Sequence, residues 1–260
     1  MIYEPDEIIR SRRRTLSLEI KKDGRFVVHA PLYVNNAEIE EFVLSKQKWI
    51  IKNLENCSLR IRKALNVDHS EGSSIPFLGR MITLGYHDRR SLTLEGSEVL
   101  NMLSQDIPSD FSPLENVCLK LPSPAFRHKE ISLLETPLSP EAEAEENRLM
   151  INSWYRQQAA SVLKARTALY ASRMGLKYSK VGITKARTSW GSCNAKYGIN
   201  YSLHLICVSI WELDYVVVHE LSHILHRDHS AAFYKEIEKI LPDYKKRNRS
   251  LEQNTWVLEI

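Results

Sequence analysis

The run His219-Glu220-Leu221-Ser222-His223 constrains this chain more than any other feature, because a helix is the local structure that turns both imidazoles to one side. Positions four apart on a helix stand one turn above each other. The residues around the run favour that helix. Ser209 and Glu212 fit a capping box, in which each side chain satisfies a free backbone N–H at the helix start. The pattern predicts a helix around Trp211 to Leu225, with Ile210, Leu213, Val217, Leu221 and Ile224 on one apolar stripe and the histidines on another face.

Two imidazoles at this spacing reach one metal ion, and a glutamate between them projects toward a water held by that ion. Zinc is the expected cofactor, since it lowers the pKa of bound water to about 7, and Glu220 is then placed to act as general base. A catalytic zinc normally takes three protein ligands, so a further one is required. His229 lies six residues beyond His223. It reaches the ion only if the helix ends near Leu225 to Asp228 and the chain turns back, with Ser230 capping a following helix from Ala231. His226 is a rival ligand or a partner that orients one. The histidine spacing equals that of metzincins, yet their turn glycine is replaced by His226 and no methionine follows Met174. The residues therefore point to a zinc-dependent hydrolase outside the metzincins, with His219, His223 and His229 on the metal and Glu220 as base.

The rest of the chain supplies a scaffold. It has 260 residues, 43% hydrophobic and 26% charged, which is the composition of a globular protein. Thr15 to Ile20 and Phe26 to Ala30 flank an Asp-Gly turn and read as a hairpin. A helix over Glu38 to Asn53 follows, capped by Asn36. Ile75 to Leu84 and Ser91 to Leu94 read as strands. Residues 104–140 hold six of the ten prolines and read as an insertion or linker outside the core. Glu141 to Met174 is strongly helical, with Gly175 as its stop. Short strands within Tyr178 to Arg187 and Gly198 to Val208 come next, then the metal-site helix and a helix from Ala231 to Leu241 stopped by Pro242. This order predicts an α+β fold with a β-rich region over 1–103, the insertion, and a zincin-like catalytic domain over 141–260.

Four scattered cysteines with no CxxC pair argue against a thiolate zinc site and a disulfide framework, and fit a reducing compartment. No apolar run suits a signal peptide or a membrane span, so a cytoplasmic location without membrane contact is expected. The net charge of +4 permits an acidic partner without requiring one. The basic runs Arg10 to Arg14 and Lys245 to Arg249 are read as solvated faces, with nucleic-acid contact as the rival reading.

Read together, these segments resemble the YgjP-like metallopeptidase-domain family, relatives of the SprT-like zincins. The likeness runs through KARTSWGSCNAKYGINYSLHL (Lys185 to Leu205) and LDYVVVHELSHILHRDHSAAFY (Leu213 to Tyr234). It extends to RRRTLSLEIKKDGRFVVHAPL, KQKWI at Lys46 to Ile50, and FLGR at Phe77 to Arg80. The resemblance implies a minigluzincin-like domain of helix, small sheet and active-site helix, with zinc on His219, His223 and His229. This chain has Ser189, Ser202 and Ser209 where the family usually has Arg, Asn and Pro. Cys193 is read as structural, while Arg187, Tyr197 and Tyr201 are candidates for contacts to substrate or to an oxyanion. A peptide or protein is the expected substrate. The rival readings are hydrolysis of a nucleotide phosphoanhydride and a zinc-stabilised nucleic-acid-binding module.

Overall fold

A computed structural model describes residues 3–21, 23–65, 67–89, 92–95, 117–127 and 139–260. The chain forms two compact units, Met1–Asn66 and Val67–Ile260. In the first, the largely buried run Phe26–Pro31 (β3) is the central strand of three. Glu7–Ser11 (β1) pairs with it in parallel and Ser17–Ile20 (β2) antiparallel. Helices Asn36–Ser45 (α1) and Gln47–Leu65 (α2) follow. Phe26, Val28, Ala30, Ile39, Val43 and Ile50 form the core of this unit. The expected single helix is thus two, broken at Lys46. Its cap is Asn35 rather than Asn36, because the Asn35 side chain and Glu38 exchange both bonds of a capping box. The hairpin is as read from the sequence, whereas β1 carried no strand period.

The second unit holds two sheets and the longest helix. Ser74–Phe77 (β4), Arg80–His87 (β5), Thr93–Glu95 (β6) and Cys118–Pro122 (β7) form a sheet in the order β4-β5-β7-β6. This differs from the expected boundary at 103 and from a wholly peripheral 104–140 segment. β7 lies between β5 and β6, and Leu119 and Leu121 are fully buried. Alternating Leu119 and Leu121 outweigh the flanking prolines, one of which ends β7 while another opens the short helix Pro124–Arg127 (α3). Residues 104–116 and 128–138 lie outside the described residues.

Pro140–Met174 (α4), of 35 residues, matches the helix expected over Glu141 to Met174 but begins one residue earlier; Ser139 caps it and Gly175 stops it in the left-handed conformation. It packs against Lys180–Thr184 (β8), which joins Gly191–Cys193 (β9) and Gly198–Ser202 (β10) in a sheet of order β8-β10-β9. A 3-10 segment, Leu203–Cys207, leads to Ile210–Ser222 (α5). Ala231–Ile240 (α6) and Tyr244–Gln253 (α7) complete the unit. The start of α5 is fixed from outside as well. The Leu78 and Gly79 N–H groups donate to the carbonyls of Ile206 and Cys207, at 2.8 and 3.2 Å. Gly79 has φ +81°, and a Cβ there would lie 2.8 Å from Ser209 Cα, so the turn between β4 and β5 needs glycine to reach the helix cap. Among the described residues no helix is long and apolar enough to cross a membrane.

Candidate metal centre

α5 begins with the expected capping box: Ser209 Oγ accepts from Glu212 N, and Glu212 Oε2 accepts from Ser209 N at 2.9 Å. The other carboxylate oxygen, Oε1, accepts from Ser250 Oγ and Asn254 Nδ2, each at 2.7 Å, tying the helix start to α7 and the residue after it. The helix is not two-faced as the stripe suggested. Glu212, Asp214, Tyr215, Val216 and Val218 are buried along with Ile210, Leu213, Val217 and Leu221 of the stripe. The buried acids Glu212 and Asp214 are both paired within the protein. Arg166 of α4, fully buried, makes a two-pronged ion pair with Asp214, both contacts 2.7 Å, and Tyr170 donates to the same carboxylate at 2.8 Å.

The regular helix stops at Ser222, three residues before the expected limit, with His223 as its C-cap. Turn bonds from Ile224 N to Leu221 O and from Leu225 N and His226 N to Ser222 O then bend the chain. Ser230 caps α6, accepting from Phe233 N. This return brings His229 back to the other two histidines, whose ligating atoms and its own all lie within 4.8 Å of one another. His219 Nε2 and His229 Nε2 are 3.1 Å apart. Phe233, fully buried, is the surface against which all three rings rest, with centroids 4.9, 4.6 and 4.9 Å from His219, His223 and His229.

These donors fit a divalent cation. Nitrogens bound to one zinc at about 2.0–2.1 Å lie roughly 3.3 Å apart in tetrahedral geometry, close to the spacing of the Nε2 pair. Burial, with the neighbouring histidines adding to it, lowers His219 to about 3, and burial also lowers His223, so both rings are held neutral with lone pairs free. His223 Nδ1 lies 3.0 Å from the His226 carbonyl, which places the ring proton on Nδ1 and leaves Nε2 for a metal. His226 thus meets the site through its backbone. His219 Nδ1 is buried with no hydrogen-bond partner among the described residues.

Glu220 is 5% exposed, and burial raises its carboxyl to about 8. Its side chain lies against Gly191 of β9: a Cβ there would come within 2.7 to 2.9 Å of Glu220 Cγ, Oε1 and Cδ. Two cavities meet at this point and share Gly191, His219 and Glu220. One, of 340 Å³, is also lined by Ser192, Cys193, His223, Arg227 and His229. The other, of 220 Å³, is also lined by Ser189, Trp190, Tyr215, Val216, Asn248 and Leu251.

Other sequence candidates lie elsewhere. Tyr201 is fully buried and shares a 3.1 Å hydrogen bond with Thr167, so it packs the sheet on α4. Arg187 donates to the Ile260 carbonyl and lines neither cavity. Tyr197 is exposed in the β9–β10 turn at φ 58°, under the Arg227 guanidinium. Cys193 lines the larger cavity. Gly191, Arg227 and Phe233 escaped sequence reading, because their roles arise from contacts between elements. The one local signal was the apolar residue three places after the Ser230 cap.

A family model described as YgjP-like, metallopeptidase domain, matches residues 14–110 and 118–254. No curated protein matches the chain. Among solved structures, the metallopeptidase zymogen of Pyrococcus abyssi abylysin is 20% identical, with a TM-score of 0.34, over 35% of this chain and 93% of its own. Since the family model covers well over half of the sequence, on both sides of residues 111–117, the chain belongs to the YgjP-like metallopeptidase-domain family.

Proposed function

We propose that the protein is a zinc-dependent metallopeptidase in which His219, His223 and His229 hold the ion and Glu220 is the general base. The convergence of three imidazoles beside one buried carboxyl carries this reading. When bound, zinc supplies Lewis-acid polarisation of a carbonyl and ionises water near neutral pH. The protein's own part is to place and hold. Glu220 takes the proton of the attacking water on its carboxylate and returns it to the leaving amine. Its burial favours the protonated form, which raises its appetite for that proton. Gly191 leaves the carboxylate room against β9, and the His226 carbonyl fixes the His223 ring. A peptide substrate is favoured by β9 itself, which is the outer strand of its sheet and borders both cavities, so an extended chain has main-chain groups to pair with.

Elemental analysis tests the ligand set: about one zinc per wild-type chain is expected, lost in His219→Ala, His223→Ala and His229→Ala and kept in His226→Ala. Wild type that holds no stoichiometric metal after zinc is supplied sinks the proposal. Glu220→Gln should keep the ion and lose peptide cleavage by roughly 10²–10⁴-fold.

A further inference from the structure

The smaller cavity has no part in the mechanism above, yet it abuts Glu220. Its walls are Trp190, Tyr215, Val216 and Leu251, the last three 6%, 3% and 3% exposed. Ser189, which is exposed, and Asn248, which is half-buried, are its solvent-side members. Apart from the shared His219 and Glu220, its lining carries no charged side chain. The larger cavity has the opposite character, with Arg227, Cys193 and the three histidines. Glu220 and Gly191 therefore stand on a boundary between a polar chamber and an apolar one.

We infer that the apolar chamber is a specificity pocket that takes the apolar or aromatic side chain of one of the two residues flanking the cleaved peptide bond. The inference rests on the peptidase reading. An extended chain advances about 3.3 Å per residue, so a substrate whose reacting carbonyl reaches Glu220 has its neighbouring side chain at the chamber on the Trp190 side. Tyr215, Val216 and Leu251 are held by α5 and α7, so the pocket is formed before substrate arrives. A charged side chain entering it loses water against Trp190, Val216 and Leu251, a cost that an apolar one does not meet. Differences of one methylene in such a pocket change selectivity by about 10–200-fold.

The test uses zinc-loaded Glu220→Gln protein and glycine hexapeptides, blocked at both ends, that carry Phe, Leu, Asp, Lys or Gly at one position. Calorimetric titration should give the Phe and Leu peptides at least roughly tenfold tighter binding than the others. Asn248→Trp and Ser189→Trp, two substitutions on the solvent side, should each bring them down to the glycine peptide's level. Mass spectrometry of wild-type digests should then place the cut next to the Phe or Leu. Equal affinities, no binding, a preference untouched by both substitutions, or a cut at a distance from the apolar residue each overturns the pocket. A preference erased by the substitutions with no cleavage by wild type supports the pocket and overturns the peptidase reading.

Discussion

Gly191 is the residue on which the geometry of Glu220 turns. Any side chain there occupies space that the carboxylate now fills, with contacts down to 2.7 Å, while the three histidines lie on other elements. Gly191→Ala is therefore expected to displace the base and leave the ligands in place. Peptide cleavage should fall by roughly 10²-fold, the usual cost of about 1 Å of misplacement, with zinc content unchanged. Equal loss of zinc and activity would show instead that β9 supports the metal. Sequence reading could group His219, Glu220 and His223 because their relation is local, five residues at the end of one helix. His229 was within reach because its spacing demanded a turn. Gly191 was not, since a strand glycine has several causes and its reason here lies 29 residues away on another element. Tyr201 misled for the complementary reason: a tyrosine near a site reads as a contact until its ring is found fully buried.

At the scale of elements, α5 is held by polar groups that its sequence pattern presents as a solvent face. Asp214 is 2% exposed and Arg166 fully buried, so removing the carboxylate leaves a guanidinium in the core deprived of its main counter-ion. Asp214→Ala should cost about 3–5 kcal/mol, read from the shift in urea midpoint at constant m-value. A cost below about 1 kcal/mol would place the pair among those that add nothing measurable. The caps of α5 and α6 and the stop at Gly175 were legible, because each is written in residues adjacent to the helix it bounds, whereas the Ser139 cap of α4 went unread. Partners distant in sequence were not. Arg166 and Asp214 are 48 residues apart, and neither alone announces the other. α7 has few apolar positions and a basic run, so its helix went unread.

Stability as a function of pH gathers the site into one property of the molecule. In the metal-free chain, burial lowers His219 from 6.5 to about 3 and raises Glu220 from 4.5 to about 8. Between pH about 3 and 6.5 the unfolded chain binds the proton that native His219 refuses, so stability is lost as pH falls through this range. Between 4.5 and about 8 native Glu220 keeps the proton that the unfolded chain releases, so stability is lost as pH rises. The two slopes oppose each other from 4.5 to 6.5, and chelator-treated protein should be most stable there. Urea midpoints from pH about 3 to 9 should show this, and Glu220→Gln should remove the alkaline decline. A decline that persists in that variant would remove Glu220 from the account. The order β4-β5-β7-β6 bears on how such a chain is made. A ribosome releases β5 and then β6 before β7, the strand that belongs between them. Until Cys118–Pro122 emerges, Arg80–His87 has a bare edge and β6 is the first strand offered to it, so synthesis itself exposes this sheet to a wrong pairing that β7 must displace.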